Sequence, residues 1–244
     1  FDGFDGFHPG FEGMGLGIGD LNGDGTPDFL QTSWRVISLL QSLPSATPLI
    51  GHLWIEYAPS IGLLPDIGDA GRCFGEAEPS RNQCYGWGAD LADFDNDMDI
   101  DIAIASLYTG HYSRLYRNDG QGVFVDVTYE TGAAVHNSVS VTWSDVDRDG
   151  DLDLFVASGG VECEPAAAVL RDRLYLNDGE GRFARAGDDL LPDARESSHA
   201  AVAGDFDGDG DLDVLSASTD DDKIAWYEND GSKYFTQHTI STAA

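Results

Sequence analysis

Positive charge is scarce in this chain. Its 244 residues carry 13 Lys and Arg against 44 Asp and Glu, a formal net charge of −31. A surface of that sign repels phosphate backbones and anionic bilayers, so nucleic acid is excluded as a partner and membrane insertion is not expected. Long apolar runs are missing too. None reaches the roughly 18 residues of a membrane-spanning helix, and the best stretch, residues 36–43, is interrupted by Ser38, Gln41 and Ser42. No charged-then-apolar leader opens the sequence, which is expected to be a mature or trimmed chain. Catalytic signatures are absent: there is no Gly-x-Ser-x-Gly elbow, no His-Glu-x-x-His and no phosphate-cradling glycine loop. The chain is therefore expected not to be an enzyme, and no catalytic residue is assigned. Cysteine is sparse and odd in number, at three. Cys73 and Cys84 stand eleven residues apart in a loop-rich segment and are expected to pair as a disulfide, leaving Cys163 over.

Glycine, by contrast, is abundant, at 30 residues of 244, where about 7% is usual. With few helical stripes, this composition predicts many tight turns and an all-β chain. Internal repetition decides the architecture. Four segments align: Asp20-Leu-Asn-Gly-Asp-Gly-Thr-Pro-Asp28, Asp93-Phe-Asp-Asn-Asp-Met-Asp-Ile-Asp101, Asp145-Val-Asp-Arg-Asp-Gly-Asp-Leu-Asp153 and Asp205-Phe-Asp-Gly-Asp-Gly-Asp-Leu-Asp213. Their starts are 73, 52 and 60 residues apart. Each runs into an apolar stretch ending in Ser33, Ser106, Ser158 or Ser218. Three repeats then show Leu/Trp-Tyr-x-Asn-Asp-Gly, with Asn at 118, 177 and 229 and a Phe six residues on, at 124, 183 and 235. Asn-Asp-Gly between β-rich runs signals a hairpin turn, because Asn and Gly tolerate positive φ. One repeat thus reads as four short strands, in the third repeat 139–143, 154–157, 173–176 and 182–186. Four-stranded units of this length build β-propellers. The expected fold is an all-β propeller, or part of one, of antiparallel four-stranded blades with a calcium loop in the first hairpin of each. One domain spans 1–244, with repeats at about 11–70, 84–130, 136–187 and 197–242 behind a Phe/Gly-rich arm at 1–10. The first repeat lacks Asn-Asp-Gly; residues 53–57 are read as its third strand, and its outer strand is unassigned.

The Asp loops share the spacing Asp-x-Asp/Asn-x-Asp-x-x-x-Asp. Alternate residues of a tight loop turn their side chains onto one point, so positions 1, 3, 5 and 9 offer side-chain oxygens and position 7 a backbone carbonyl. The candidate metal ligands are Asp20, Asn22, Asp24 and Asp28; Asp93, Asp95, Asp97 and Asp101; Asp145, Asp147, Asp149 and Asp153; and Asp205, Asp207, Asp209 and Asp213. Hard oxygen donors in a flexible loop favour Ca2+ over Mg2+. An EF-hand is excluded: its position 12 must be Glu between two helices, and here it is Gln31, Ile104, Val156 or Ser216 with β-rich flanks. The loops hold 18 of the 44 acids. Two carboxylates 4 Å apart repel by about 4 kcal/mol at an effective dielectric near 20, a strain that about four Ca2+ ions would relieve. Loop two departs at position 6, where Met98 replaces the Gly that a sharp turn favours.

At these residues the chain resembles the FG-GAP/VCBS repeat family, the calcium-binding propeller repeats of integrin α-subunits and many secreted bacterial proteins. The likeness rests on the run from Gly204 to Ser218, on Ile224-Ala-Trp-Tyr-Glu-Asn-Asp-Gly231 and on the glycine-rich lead-in Gly13-Met-Gly-Leu-Gly-Ile-Gly-Asp20. It implies a propeller, bound Ca2+ and a secreted or cell-surface location, and the sixteen ligand positions carry over one by one. Family propellers often have seven blades, whereas four repeats are visible here.

Strand alternation divides the molecule into two rims. The Asp loops and the Asn-Asp-Gly turns share one. The long segments 35–51, 58–86, 159–172 and 187–198 are expected on the other, where a rigid scaffold usually carries its binding loops. Candidate contact residues there are Trp34, Arg35, His52, Arg72, Tyr108, His111, Tyr112, Arg171, Arg195 and His199, aromatics and polar groups suited to a glycan or protein ligand. The expected role is adhesion or ligand binding. A structural subunit that self-assembles through blade edges is the first alternative, and a carbohydrate-active lyase or hydrolase the second.

Overall fold

The computed structural model describes residues 13–33, 38–43, 53–56, 86–106, 113–120, 124–133, 138–159, 171–187, 190–191, 198–218, 222–232 and 234–242. Cys73, Cys84, Cys163 and the rim candidates Trp34, Arg35, His52, Arg72, Tyr108, His111, Tyr112 and Arg195 lie outside these residues, as does the arm at 1–10.

The described residues form strands and turns without a helix. Blade one is β1 (Gly13–Gly19), β2 (Asp28–Ser33), β3 (Ser38–Leu43) and β4 (Leu53–Glu56). Blade two is β5 (Gly86–Ala92), β6 (Asp101–Ser106), β7 (Arg114–Asn118) and β8 (Phe124–Asp126). Blade three is β9 (Ser140–Ser144), β10 (Asp153–Ala157), β11 (Arg173–Asn177) and β12 (Phe183–Arg185). Blade four is β13 (Ser198–Gly204), β14 (Asp213–Ser218), β15 (Lys223–Asn229) and β16 (Phe235–Thr242). Each blade is a four-stranded antiparallel meander with its strands in chain order. The first repeat corrects the sequence reading. Leu53–Glu56 is the fourth strand, not the third, and Ser38–Leu43 supplies the third. The segment 35–51 therefore contains a strand and is not one rim loop.

The blades stack through their first strands: β1 packs on β5, β5 on β9 and β9 on β13. No comparable packing joins β13 to β1 among the described residues. Three apolar cores fill the spaces between blades. Leu21, Leu30, Ile102, Ile104 and Tyr116 fill the first. Phe94, Trp143, Tyr175 and Phe183 anchor the second, with Phe94 stacked on Trp143 at 5.6 Å between ring centroids. Val146, Phe155, Tyr227 and Phe235 anchor the third. The recurring Tyr and Phe of the repeat are thus packing residues between blades. A blade covered on both faces buries its second strand completely, as β6 and β10 do.

Close approach of the inner strands explains the glycine lead-in. A Cβ at Gly15 would lie 2.6 Å from the Trp87 carbonyl, and one at Gly88 would lie 2.6 Å from the Val139 carbonyl. Side chains on this face must be small or absent if the next backbone is to seat.

Candidate metal centre

All four Asp loops take one backbone conformation. Positions 4 and 6 have positive φ in each: Gly23 and Gly25, Asn96 and Met98, Arg148 and Gly150, Gly208 and Gly210. The first Asp folds the loop by accepting backbone N–H groups from across it. Asp93 accepts from Asp97 N (3.0 Å) and Met98 N (2.8 Å), and Asp20 accepts from Asp24 N and Gly25 N in the same way. Loop two therefore keeps the geometry in spite of Met98.

The loops bring positions 1, 3 and 9 together. Carboxylate oxygens of Asp93, Asp95 and Asp101 lie within 4.8 Å of one another, as do those of Asp145, Asp147 and Asp153 and those of Asp205, Asp207 and Asp213. Loop one has the same positions as Asp20, Asn22 and Asp28, with an amide in place of the middle acid. Position 5 stands apart from these clusters: Asp97, Asp149 and Asp209 each accept the N–H of position 7, at 2.9, 3.1 and 2.8 Å.

The donor set fits a hard divalent cation. Asp95 Oδ1 and Asp145 Oδ1 are buried with no protein hydrogen bond. Burial pushes the Asp101 and Asp153 carboxyls up to about 7, against backbone N–H donors that pull them down. Burial also raises Asp95, with help from the neighbouring Asp97 and Asp93 charges. A cation among these oxygens would offset both the desolvation and the repulsion. Positions 1, 3 and 9 of loops two to four would hold it, and the metal would supply fixed positive charge that locks the loop.

Position 9 has a second role that the sequence did not disclose. Asp101 is fully buried; its Oδ2 accepts Phe94 N at 2.9 Å and its Oδ1 accepts Asn118 N at 2.7 Å. Asp153 does the same with Val146 and Asn177, and Asp213 with Phe206 and Asn229. The Asn of Asn-Asp-Gly then hooks the preceding blade. Asn118 Nδ2 donates to Leu21 O of blade one at 2.9 Å, Asn177 Nδ2 to Phe94 O of blade two at 2.7 Å, and Asn229 Nδ2 to Val146 O of blade three at 2.8 Å. Its second hydrogen goes to position 8 of its own loop. Position 4 reaches the other way: Asn96 donates to Asp151 at 2.7 Å and Arg148 pairs with Asp211 at 2.6 Å, each in the next blade. The Asp loop thus gathers carboxylates that could hold a cation and forms the joint between blades. The only signal for this in the sequence is that the turn opens with Asn each time.

On the opposite rim the blades meet at a polar node. Between blades two and three it consists of Ser106, Ser113 and Ser138. Between blades three and four Asp172 takes the place of Ser113, accepting Ser158 N at 2.9 Å and Ser198 Oγ at 2.8 Å. Burial pushes the Asp172 carboxyl up to about 6, although Ser158, Ser198 and the Arg173 and Lys223 charges pull it down. A cleft opens beside it, walled by Phe155, Leu174 and Tyr227 and edged by Arg171, Arg173 and Arg185. Of the rim candidates, Arg171 lines this cleft and His199 stands on β13 one residue past Ser198.

Residues 93–156, 170–216 and 205–244 match the FG-GAP-like repeat, more than half of the chain. The chain belongs to the FG-GAP-like repeat family. The matched segments begin at the Asp loop of blade two and run through blades three and four, with 157–169 left out; blade one, with no Asn hook, falls outside them. No curated protein matches the chain. Among solved structures, an Agrocybe aegerita lectin described as recognising non-reducing terminal N-acetylglucosamine is similar over 91% of this chain at 15% identity, with a TM-score of 0.47. The FG-GAP chain spans about half, 51%, of that lectin's length. No helix among the described residues is long and apolar enough to cross a membrane.

Proposed function

We propose that this FG-GAP chain is an extracellular, Ca2+-stapled propeller module that binds a glycan or protein ligand on the rim opposite its Asp loops. Its function is binding, not catalysis. The metal half of the reading is carried by one observation, the convergence of three carboxylates in each of loops two to four. Calcium in those loops fixes the rim where the Asn hooks join the blades, and leaves the other rim to present side chains from a rigid frame. About four ions are expected, one per loop. An outside location supplies calcium at concentrations that such sites can use.

The ligand half rests on the cleft between blades three and four. It combines aromatic and aliphatic walls with three guanidinium groups, in a chain that has 13 basic residues in all. Planar guanidinium groups recognise carboxylates and sugar hydroxyls. An array of neutral and acidic glycans, probed in millimolar calcium, tests this. The expected result is a defined set of bound glycans whose affinity falls at least about tenfold in Arg173→Ala. Binding that is absent, or indifferent to Arg173, contradicts the assignment of the cleft.

A further inference from the structure

Blade three departs from blade two at one pair of neighbouring positions. Both third strands begin Arg-Leu-Tyr, at Arg114 in β7 and Arg173 in β11. The fourth strands then set Asp126 opposite Tyr116 and Arg185 opposite Tyr175, in the same register. In blade two the two positions close an ion pair, Arg114 Nη1 to Asp126 Oδ2 at 2.9 Å. In blade three a second guanidinium stands where blade two has the carboxylate. Arg173 and Arg185 are diagonal neighbours across β11 and β12, within reach of long side chains, where like charges are unfavourable. Burial raises the Tyr175 hydroxyl, and the charges of Arg173 and Arg185 both oppose that rise, so both cations act at one phenol. Blade four has neither charge at these places, which are Ala225 and Gln237. Among blades two to four, the exchange belongs to blade three alone.

The exchange falls on the cleft beside Asp172. Arg171, Arg173 and Arg185 line it, and Asp172 is the one acid among its lining residues. Both Asp172 oxygens are engaged within the joint, with Ser158 N and Ser198 Oγ. Lys223 is close enough for its charge to act on Asp172 as well. Four of the 13 basic residues in a chain of net charge −31 thus gather at one place. We infer that this cleft selects acidic glycans, and that a sugar carboxylate sits between Arg173 and Arg185 as the Asp126 carboxylate sits against Arg114 in blade two. The inference rests on the glycan-binding reading of the cleft and narrows it to one ligand class. A carboxylate matches the planar fork of a guanidinium and offsets the repulsion between two of them. The acidity of the whole chain does not oppose this at close range. At about 0.15 M salt, charges more than about 8 Å away are largely screened, and the Asp loops stand on the other rim.

The test uses the whole chain in millimolar calcium, on an array of matched glycans, each carboxylate-bearing member beside its carboxyl-reduced form and beside sulfated glycans without carboxylate. The expected result is binding of carboxylate-bearing members at least about tenfold tighter than their reduced forms. Arg185→Asp gives blade three the ion pair of blade two. It is expected to melt no lower than the parent and to lose that preference. Arg117→Ala removes the same charge near the Asp119 turn, where Arg117 pairs with Asp119 at 2.7 Å, and is expected to leave affinity within about twofold. Reduced members bound as tightly as acidic ones, with binding still dependent on Arg173, overturn the inference and leave the cleft as a glycan site. A preference for sulfate esters, or an acid preference that survives in Arg185→Asp, also overturns it. Binding that is absent, or indifferent to Arg173, removes the glycan reading itself and the inference with it.

Discussion

Met98 stands at φ 77° with its side chain 91% exposed. Left-handed backbone costs an L-residue about 1–2 kcal/mol, and no packing repays it here. Met98→Gly, at a position where loops one, three and four already have Gly, is expected to raise stability by about 1 kcal/mol in urea unfolding. A loss of stability would mean that the strain argument fails. Asp172 makes the pH prediction at this scale. Its folded carboxyl titrates near 6, above the ordinary 3.8, so the folded state holds its proton more tightly than the unfolded chain. Stability from this group is full below the unfolded value and is lost as pH rises through 6. Asp172→Asn keeps an acceptor for Ser158 N without the charge. It is expected to be more stable than the parent at pH 7.5, by on the order of 3 kcal/mol, and to converge with it near pH 4. A constant difference across that range would contradict the assignment. The spacing of the acids was legible in the sequence. Their division of labour was not, since nothing in the order of residues says that position 9 is a buried acceptor of two backbone N–H groups while position 5 folds back onto position 7.

At the scale of the element, the Asn hooks carry the joints. Asn177 serves two carbonyls, Phe94 O across the joint and Leu152 O within its own blade. Asn177→Ala would take this donor from one buried and one part-buried carbonyl, a loss of about 2–4 kcal/mol. Equilibrium unfolding checks this, and a change within about 0.5 kcal/mol, the range of neutral surface substitutions, would show that the hook is dispensable. The hairpin turn at Asn-Asp-Gly followed from local φ preference and is present, with Gly120, Gly179 and Gly231 all at positive φ. That the same Asn reaches back to another blade is a long-range fact, since Asn177 and Phe94 are 83 positions apart. No local pattern encodes it. The error in repeat one has a similar origin. Ser38–Leu43 lacks the Leu/Trp-Tyr pair that marks the third strand elsewhere, and its pairing with β2 shows only in the register Phe29 to Leu40.

For the whole molecule, repetition made the architecture legible. Four copies of one loop, each followed by the same apolar run, leave few folds besides a stack of like blades. The burial of position 2 was not legible, because Phe94 and Phe206 stand at the same place in the motif and are 1% and 48% exposed. The central claim is that divalent cations in the Asp loops hold these blades together. Ligand that binds the folded state alone stabilises it by about 2.7 kcal/mol per site at a hundredfold excess over Kd, and in a chain of this size each kcal/mol moves the melting temperature by about 2–4 °C. Differential scanning calorimetry of the chain in millimolar calcium and again after exhaustive chelation is the most direct measurement. The account predicts a fall of more than about 10 °C on chelation, reversed by adding calcium back. Superimposable melting curves would contradict it.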